Sequence, residues 1–373
     1  MRYPFLSLRE SNDKLMGDLE RVAGEVIRSG SYLRGRYTSE LESKLAEYCG
    51  APYCVATSNG LDSLRLIFRA YMSMGILFPG DEVIVPANTY IASVLAITEN
   101  CLIPVFVEPN PVTMNLDTER IEECINMRTR AILTVHLYGN TCYDENLKRI
   151  AKDYDLKLIE DNAQAFGAKS DVESDYGTWV AGSLGDAAAL SFYPTKNLGA
   201  LGDAGAVVTH DKELADCVRA IANYGSDTRY HNIYKGLNCR IDELQAAFLL
   251  EKLKYIDGES VRRRKIADIY SSEIDNPLIM SPLNLHNETQ VWHQYVVRTE
   301  YREEFVKYLK DNGVGRDIHY AVPPHKQPCY LEYADLESPI TEMLANQVVS
   351  IPIANVSEED AHEISRIINA FTL

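Results

Sequence analysis

The chain has 373 residues, with 37 Lys+Arg against 54 Asp+Glu for a net charge of −17, and is 46% hydrophobic and 24% charged. These are ordinary values for a globular protein of about two domains, so wholesale disorder is excluded, and the acidic balance argues against general affinity for nucleic acid or an anionic membrane. No apolar run reaches the ~18 residues of a membrane span, and the N-terminal MRYPFLSLRESND lacks the basic-then-apolar order of a secretory signal. Eight scattered cysteines with no CxxC pair read as reduced thiols of a cytoplasmic protein rather than as a metal site.

In chain order, residues 54–57 (CVAT) form a short strand that leads into a helix through SLRLIFRAYM. The same alternation continues with EVIVPA (82–87) before TYIASVLAITEN, IPVFVE (103–108) before DTERIEECIN, and AILTVHLYG (131–139) before ENLKRIAKDY and LKLIED (156–161). Short, continuously apolar strands alternating with helices predict an α/β fold with a mostly parallel sheet covered on both faces. The rhythm changes at AAALSFY (187–193) and AGAVVTH (204–210), which are joined by a glycine-rich loop instead of a helix.

Past residue 240 a long helical stretch, IDELQAAFLLEKLKYI, continues after Gly258 into RRRKIADIYSSEI. Strand VWHQYVVRT, helix YREEFVKYLKDN, strands GRDIHY and VVSIPI, and a last helix from about Ser357 follow, a mixture that predicts a smaller α+β domain. The expected division is a large α/β domain over 1–250, whose first 30 residues form an arm packing on the small domain, and a small domain over 251–373.

Four segments lie where strands end, the edge at which open α/β sheets bind ligands. In TSNGLDS (57–63), Ser58 or Asn59 can cap a helix and Gly60 allows close backbone approach, so the turn is either an anion site or an ordinary cap. Asp161, ending the strand LIED, is either a partner for a cationic ring nitrogen or the cap of a following helix. Lys196, in SFYPTKNLGALGDAGA between two apolar strands, is a candidate Schiff-base amine, or else a surface lysine of a loop; Ser191 just before it can donate to a phosphate. The segment YGSDTRYHNIYKGLNCR (224–240) sets Arg229, Lys235 and Arg240 against Asp227 and is either an anion-reaching loop or a solvated one. A phosphate cradle, an Asp at a strand end and a lysine between two strands together describe pyridoxal 5′-phosphate (PLP) binding, with Tyr90 available as an aromatic plane against the ring.

In this order the motifs resemble the DegT/DnrJ/EryC1/StrS family of nucleotide-sugar aminotransferases, which have the PLP-dependent transferase fold of type I. The matching segments are GDEVIVPANTYIAS, VHLYG, LIEDNAQAFGA, AGSLGDAAALSFYPTKNLGALGDAGAVV, NYGS, RIDELQAA and IHYAVPPHKQP, with SGSYLRG near the N-terminus. The resemblance implies that Lys196 forms the Schiff base with PLP and shuttles the proton, that Asp161 holds the pyridinium nitrogen, that Gln164 lies on the ring's hydroxyl side and that Tyr90 stacks on the ring. It also implies that the amides of Gly60 and Leu61, the Ser191 hydroxyl and Asn238 from a neighbouring subunit hold the phosphate, which makes a homodimer with shared active sites part of the mechanism. Lys196, where some relatives carry a histidine and dehydrate, favours amino transfer.

Leu61, Asn162 and Thr195 depart from the residues more common in the family. The form SFYPTKNLGALGD is similar to enzymes that aminate C-3 of dTDP-linked 3-keto-6-deoxyhexoses with L-glutamate, and places Tyr193, His319 and Tyr320 around the sugar, with Tyr32 nearby and His325 beyond them. Two alternatives stand beside this reading: a C-4 aminotransferase acting on a UDP- or dTDP-4-keto sugar, and a non-catalytic regulatory protein of the same fold.

Overall fold

The computed structural model describes residues 1–283 and 287–373. Three helices lead in: α1 (Leu8–Asp13), α2 (Met16–Ser29) and α3 (Arg36–Cys49), the last two ended by Gly30 and Gly50 at positive φ, the left-handed geometry of a helix stop. The large sheet then builds from β1 (Tyr53–Thr57), α4 (Gly60–Ser73), β2 (Glu82–Pro86), α5 (Ile91–Thr98), β3 (Ile103–Val107), β4 (Thr129–Val135), α6 (Glu145–Asp153), β5 (Lys157–Asp161), β6 (Ala187–Ser191) and β7 (Gly205–Thr209). Its strand order is β1-β7-β6-β5-β4-β2-β3; β7 runs antiparallel to both neighbours and every other pair is parallel. The strands are predominantly apolar because helices cover both faces: Leu64, Ile67 and Phe68 of α4 belong to one core and Leu41 and Leu45 of α3 to the other.

After α7 (Lys212–Ile221) a small ribbon, β8 (Ser226–Thr228) and β9 (His231–Asn232), precedes α8 (Glu243–Leu253) and α9 (Ile256–Glu273). The C-terminal part holds β10 (Tyr295–Arg298), α10 (Arg302–Asp311), α11 (Pro339–Gln347), β11 (Val348–Ile351) and α12 (Glu358–Asn369), with β10 and β11 antiparallel. Its core, which includes Tyr270, Tyr295, Phe305, Ile351 and Ile364, is separate from those of the large sheet.

Several sequence expectations differ from the structure. DTERIEECIN is two short 3₁₀ turns, Thr118–Arg120 and Glu122–Cys124, not a helix. Glu122 and Glu123 would stand near its C-terminal end, where a helix dipole favours cations. GRDIHY makes only an isolated bridge between Asp317 and Ser350, because residues 318–320 turn towards the large sheet. The long helix breaks at residues 254–255, whereas Gly258 lies inside α9. The N-terminal arm divides: Tyr3 pairs with Gly313 and Gly315 of the C-terminal part, but Leu19, Val22 and Val26 of α2 pack on Ala247 and Phe248 of α8.

Candidate active site

Pairing alone brings the ends of β1, β6 and β7 together, since Gly205 sits opposite both Thr57 and Ser191. The turn after β1 crosses directly above this point. A Cβ at Gly205 would lie 2.4 Å from the Asn59 carbonyl, and one at Gly60 would lie 2.6 Å from the Ser191 Cβ. Only glycine fits at either position. The Asn59 side chain caps α4 through the Asp62 amide at 2.8 Å, and the Asn59 carbonyl accepts the Ser63 amide. Among the described residues the Gly60 and Leu61 amides have no acceptor, so the helix start offers two open donors beside the Ser191 hydroxyl. The Leu61 side chain packs on the core.

One strand further in, Asp161 ends β5 and is 6% exposed. Its carboxylate accepts the Ser93 hydroxyl at 2.7 Å and the Ala163 amide at 3.2 Å, and its carbonyl accepts the His136 amide. Gln164 is fixed at both ends: its Oε1 accepts the Tyr138 amide at 2.7 Å and its Nε2 donates to the Tyr320 hydroxyl at 3.0 Å. Tyr138 adopts φ 61°, a strained value for a residue with a side chain, and its hydroxyl donates to the His319 carbonyl. His319 in turn shares a 2.8 Å bond between Nδ1 and the Ser350 hydroxyl. The Tyr90 ring lies 5.2 Å from that of Tyr320, tilted by 34°, and is 53% exposed.

Lys196 is partly buried in the loop between β6 and β7, its amide tied to the Tyr193 carbonyl at 2.8 Å. Burial pushes its amine down to about 8, with the Asp161 carboxylate pulling the other way. His293 and His319 both feel the lysine charge: burial first, then Lys196, lowers His293 well below its ordinary value, and burial lowers His319 against the opposing pull of Asp317. Burial holds the Tyr320 hydroxyl far above the usual tyrosine range, so it stays protonated.

Lys196, Asp161, Gln164, Tyr90, His319 and Tyr320 therefore converge, with Gly60, Leu61 and Ser191 at the adjoining strand ends. Tyr193 stands exposed beside the lysine. The remaining three lie apart within the chain. Tyr32 is 58% exposed near the end of α2, and Asn238 is exposed on the segment whose Cys239 carbonyl accepts the Ser58 amide. His325 is fully buried against Phe106 and Glu342, out of contact with the other site residues.

Sequence reasoning missed Ser93, Tyr138, His293 and Asn197, the last bonded to His293 at 3.1 Å and to the Val291 carbonyl at 2.9 Å. A signal existed for Ser93, which lies one helical turn after Tyr90. None existed for the others, whose partners are distant in sequence. The departures Asn162 and Thr195 also separate here: Asn162 is buried with its side-chain amide unpartnered, while Thr195 is part of the lysine loop.

The donor set fits a phosphorylated pyridine aldehyde: amides and a hydroxyl at a helix start for the phosphate, a carboxylate for a ring N–H, an aromatic plane, and an amine that is easily made neutral. Comparison with known proteins agrees. The model of the DegT/DnrJ/EryC1/StrS aminotransferase family matches residues 15–371. The chain is 48% identical over 367 residues to a dTDP-3-amino-3,6-dideoxy-alpha-D-galactopyranose transaminase of Aneurinibacillus thermoaerophilus, covering 98% of each. Its fold matches that of S. venezuelae DesV in complex with a ketimine intermediate, with a TM-score of 0.92, 39% identity, and 99% of this chain and 98% of that one covered. It also matches NtdA from Bacillus subtilis with bound cofactor PMP, with a TM-score of 0.88, 31% identity, and 99% and 85% covered.

Proposed function

The chain belongs to the DegT/DnrJ/EryC1/StrS aminotransferase family, and we propose that it moves an amino group from L-glutamate to C-3 of a dTDP-linked 3-keto-6-deoxyhexose, with PLP as cofactor. When bound, PLP supplies an aldehyde that captures amines and a protonated ring that accepts the electron pair released when a neighbouring C–H bond breaks.

The protein's part is binding, orientation and proton transfer. Gly60 and Leu61 amides and the Ser191 hydroxyl would hold the phosphate, Asp161 the ring nitrogen, and Tyr90 one ring face. Gln164 has its oxygen occupied by Tyr138, so its amide nitrogen is the group turned to the ring's hydroxyl side. Lys196 takes the proton from Cα of glutamate in the first half-reaction and returns one to the sugar carbon in the second. That work needs an amine easily made neutral, and burial supplies one.

His319, Tyr320, Tyr193 and Tyr32 are assigned to the sugar, while the fully buried His325 is left to pack beside Phe106 and Glu342 in the segment that follows His319 and Tyr320. Asn238 is assigned to the phosphate of a partner subunit, which makes the working unit a homodimer. C-3 is favoured over C-4 by the similarity to the 3-amino-sugar transaminase over nearly the full length of both chains. The large PLP-binding unit is assigned to 1–250 and the smaller one to 251–373.

The observation that carries this reading is the lysine: a partly buried amine lowered to about 8, facing a carboxylate at the sheet edge, in a loop whose flanking strands frame a glycine cradle. The experiment is incubation with glutamate and a panel of 3-keto and 4-keto nucleotide sugars, with NMR of the products. We expect a 3-amino sugar, and from Lys196→Ala neither product nor the visible absorbance of a Schiff base between PLP and the protein. A 4-amino product overturns the regiochemistry, and a wild-type protein that takes up no PLP overturns the whole reading.

A further inference from the structure

Asp161 is held by one donor from α5 and one from the turn that follows its own strand. Its Oδ1 accepts the Ala163 amide at 3.2 Å and its Oδ2 accepts the Ser93 hydroxyl at 2.7 Å. Both contacts are donors to oxygen, so the arrangement is that of an ionised carboxylate. Ser93 is fully buried in the first turn of α5, and its Oγ also lies 2.8 Å from the Thr89 Oγ1. A serine hydroxyl has one proton. Because that proton goes to the carboxylate, Thr89 must donate to Ser93, and the chain of bonds runs one way, from Thr89 through Ser93 to Asp161. Thr89 is buried as well, so no water competes at its end of the chain. Tyr90, the residue assigned to the ring face, is the N-cap of the same helix. One turn of α5 therefore bears on both the face and the nitrogen edge of the same ring.

We propose that Ser93, supported by Thr89, is a positioning residue for the cofactor: it locks the rotation of the Asp161 carboxylate so that its remaining lone pairs meet the ring nitrogen. It acts through Asp161 and touches neither cofactor nor substrate. The inference rests on the PLP reading above. Its consequence is electronic as well as steric, since a firmly aimed carboxylate keeps the ring nitrogen protonated and the ring a strong electron acceptor. Around metal ions, partners that orient a first contact in this way change affinity by roughly 10- to 100-fold when removed, and that sets the scale expected here.

The test strips PLP from the purified protein, titrates PLP back by visible absorbance, and then titrates that absorbance with pH. Ser93→Ala is expected to weaken PLP binding roughly tenfold and to move the midpoint of the absorbance titration upward, because a ring less firmly charged repels a second proton less. Ser93→Thr, which keeps the hydroxyl, is expected to restore both. A Ser93→Ala protein with the wild-type Kd and midpoint overturns the inference. Should Ser93→Ala fail to fold, Thr89→Val removes the outer donor at nearly constant volume; a smaller upward shift supports the inference and an unchanged midpoint overturns it. Asp161→Asn separates the two levels. If it alters PLP binding while Ser93→Ala does not, only this inference falls; if it changes nothing, the assignment of Asp161 to the ring nitrogen falls with it, and a wild-type protein that takes up no PLP overturns the PLP reading itself.

Discussion

Lys196 is governed by two opposed influences: burial, which lowers its amine to about 8, and the Asp161 charge, which raises it. Capture of PLP requires the neutral amine, so the rate of uptake by the apoprotein should climb with pH through a midpoint near about 8. Asp161→Asn removes the raising influence and should carry that midpoint lower still. Stopped-flow absorbance across pH measures both, and a wild-type midpoint at the ordinary lysine value of about 10.4 would contradict the burial argument. At this scale the chemistry was legible because a reactive residue needs a type and a local frame, and both are written in SFYPTKNLGALGD and LIEDNAQA. The residues that orient them were not. Tyr138 serves Gln164 through its backbone amide, which every residue but proline carries, and His293 reaches the lysine loop from a segment almost a hundred positions away.

Among the elements, α3 shows a start that no local signal could reveal. Its N-cap is Gly35, which offers no side chain. The cap comes instead from Glu243 in the first turn of α8, whose buried carboxylate accepts the amides of Gly35 at 2.8 Å, Tyr37 at 3.0 Å and Thr38 at 2.8 Å, together with the Thr38 hydroxyl. Glu243→Ala leaves these donors buried without an acceptor and should cost about 3 kcal/mol or more of stability, read from the midpoint of urea unfolding. Glu243→Gln keeps one oxygen and should lose less. A change of under about 1 kcal/mol for the alanine variant would mean that water replaces the cap. The same reasoning explains the elements that sequence periodicity misjudged. Residues 315–320 have a strand's alternation, yet pairing stops at Asp317, and the His319 carbonyl and Tyr320 hydroxyl are drawn to Tyr138 and Gln164 in the loops after β4 and β5.

For the whole molecule, the −17 charge and the anionic ligands are reconciled by distribution. Residues 331–373 hold eight acids and one arginine, while Arg229, Lys235 and Arg240 stand against Asp227 in the segment that precedes α8. That segment also leaves Tyr224, Tyr230 and Ile233 exposed, and the exposed Tyr32 and Leu33 join its far end, Leu33 bridging Asp242 and the Tyr32 carbonyl accepting the Glu243 amide. Exposed groups of this kind suit burial by a second copy of the chain. The protein should therefore sediment as a dimer. Mixing Lys196→Ala with Asn238→Asp subunits should recover activity that neither variant has alone, because one site of the hybrid then holds both wild-type residues; activity no greater than the sum of the two would place Asn238 outside the partner's site. Sequence by itself determined the alternating strands, the lysine and carboxylate at strand ends, and the family, because strand and helix periodicity and motif spacing are local properties of the chain. Only the tertiary structure decided which strand ends meet, why Gly60 and Gly205 admit no side chain, and which hydroxyl holds Asp161. Those contacts join residues tens to hundreds of positions apart, and their donors are hydroxyls and backbone amides that stand out in no local pattern.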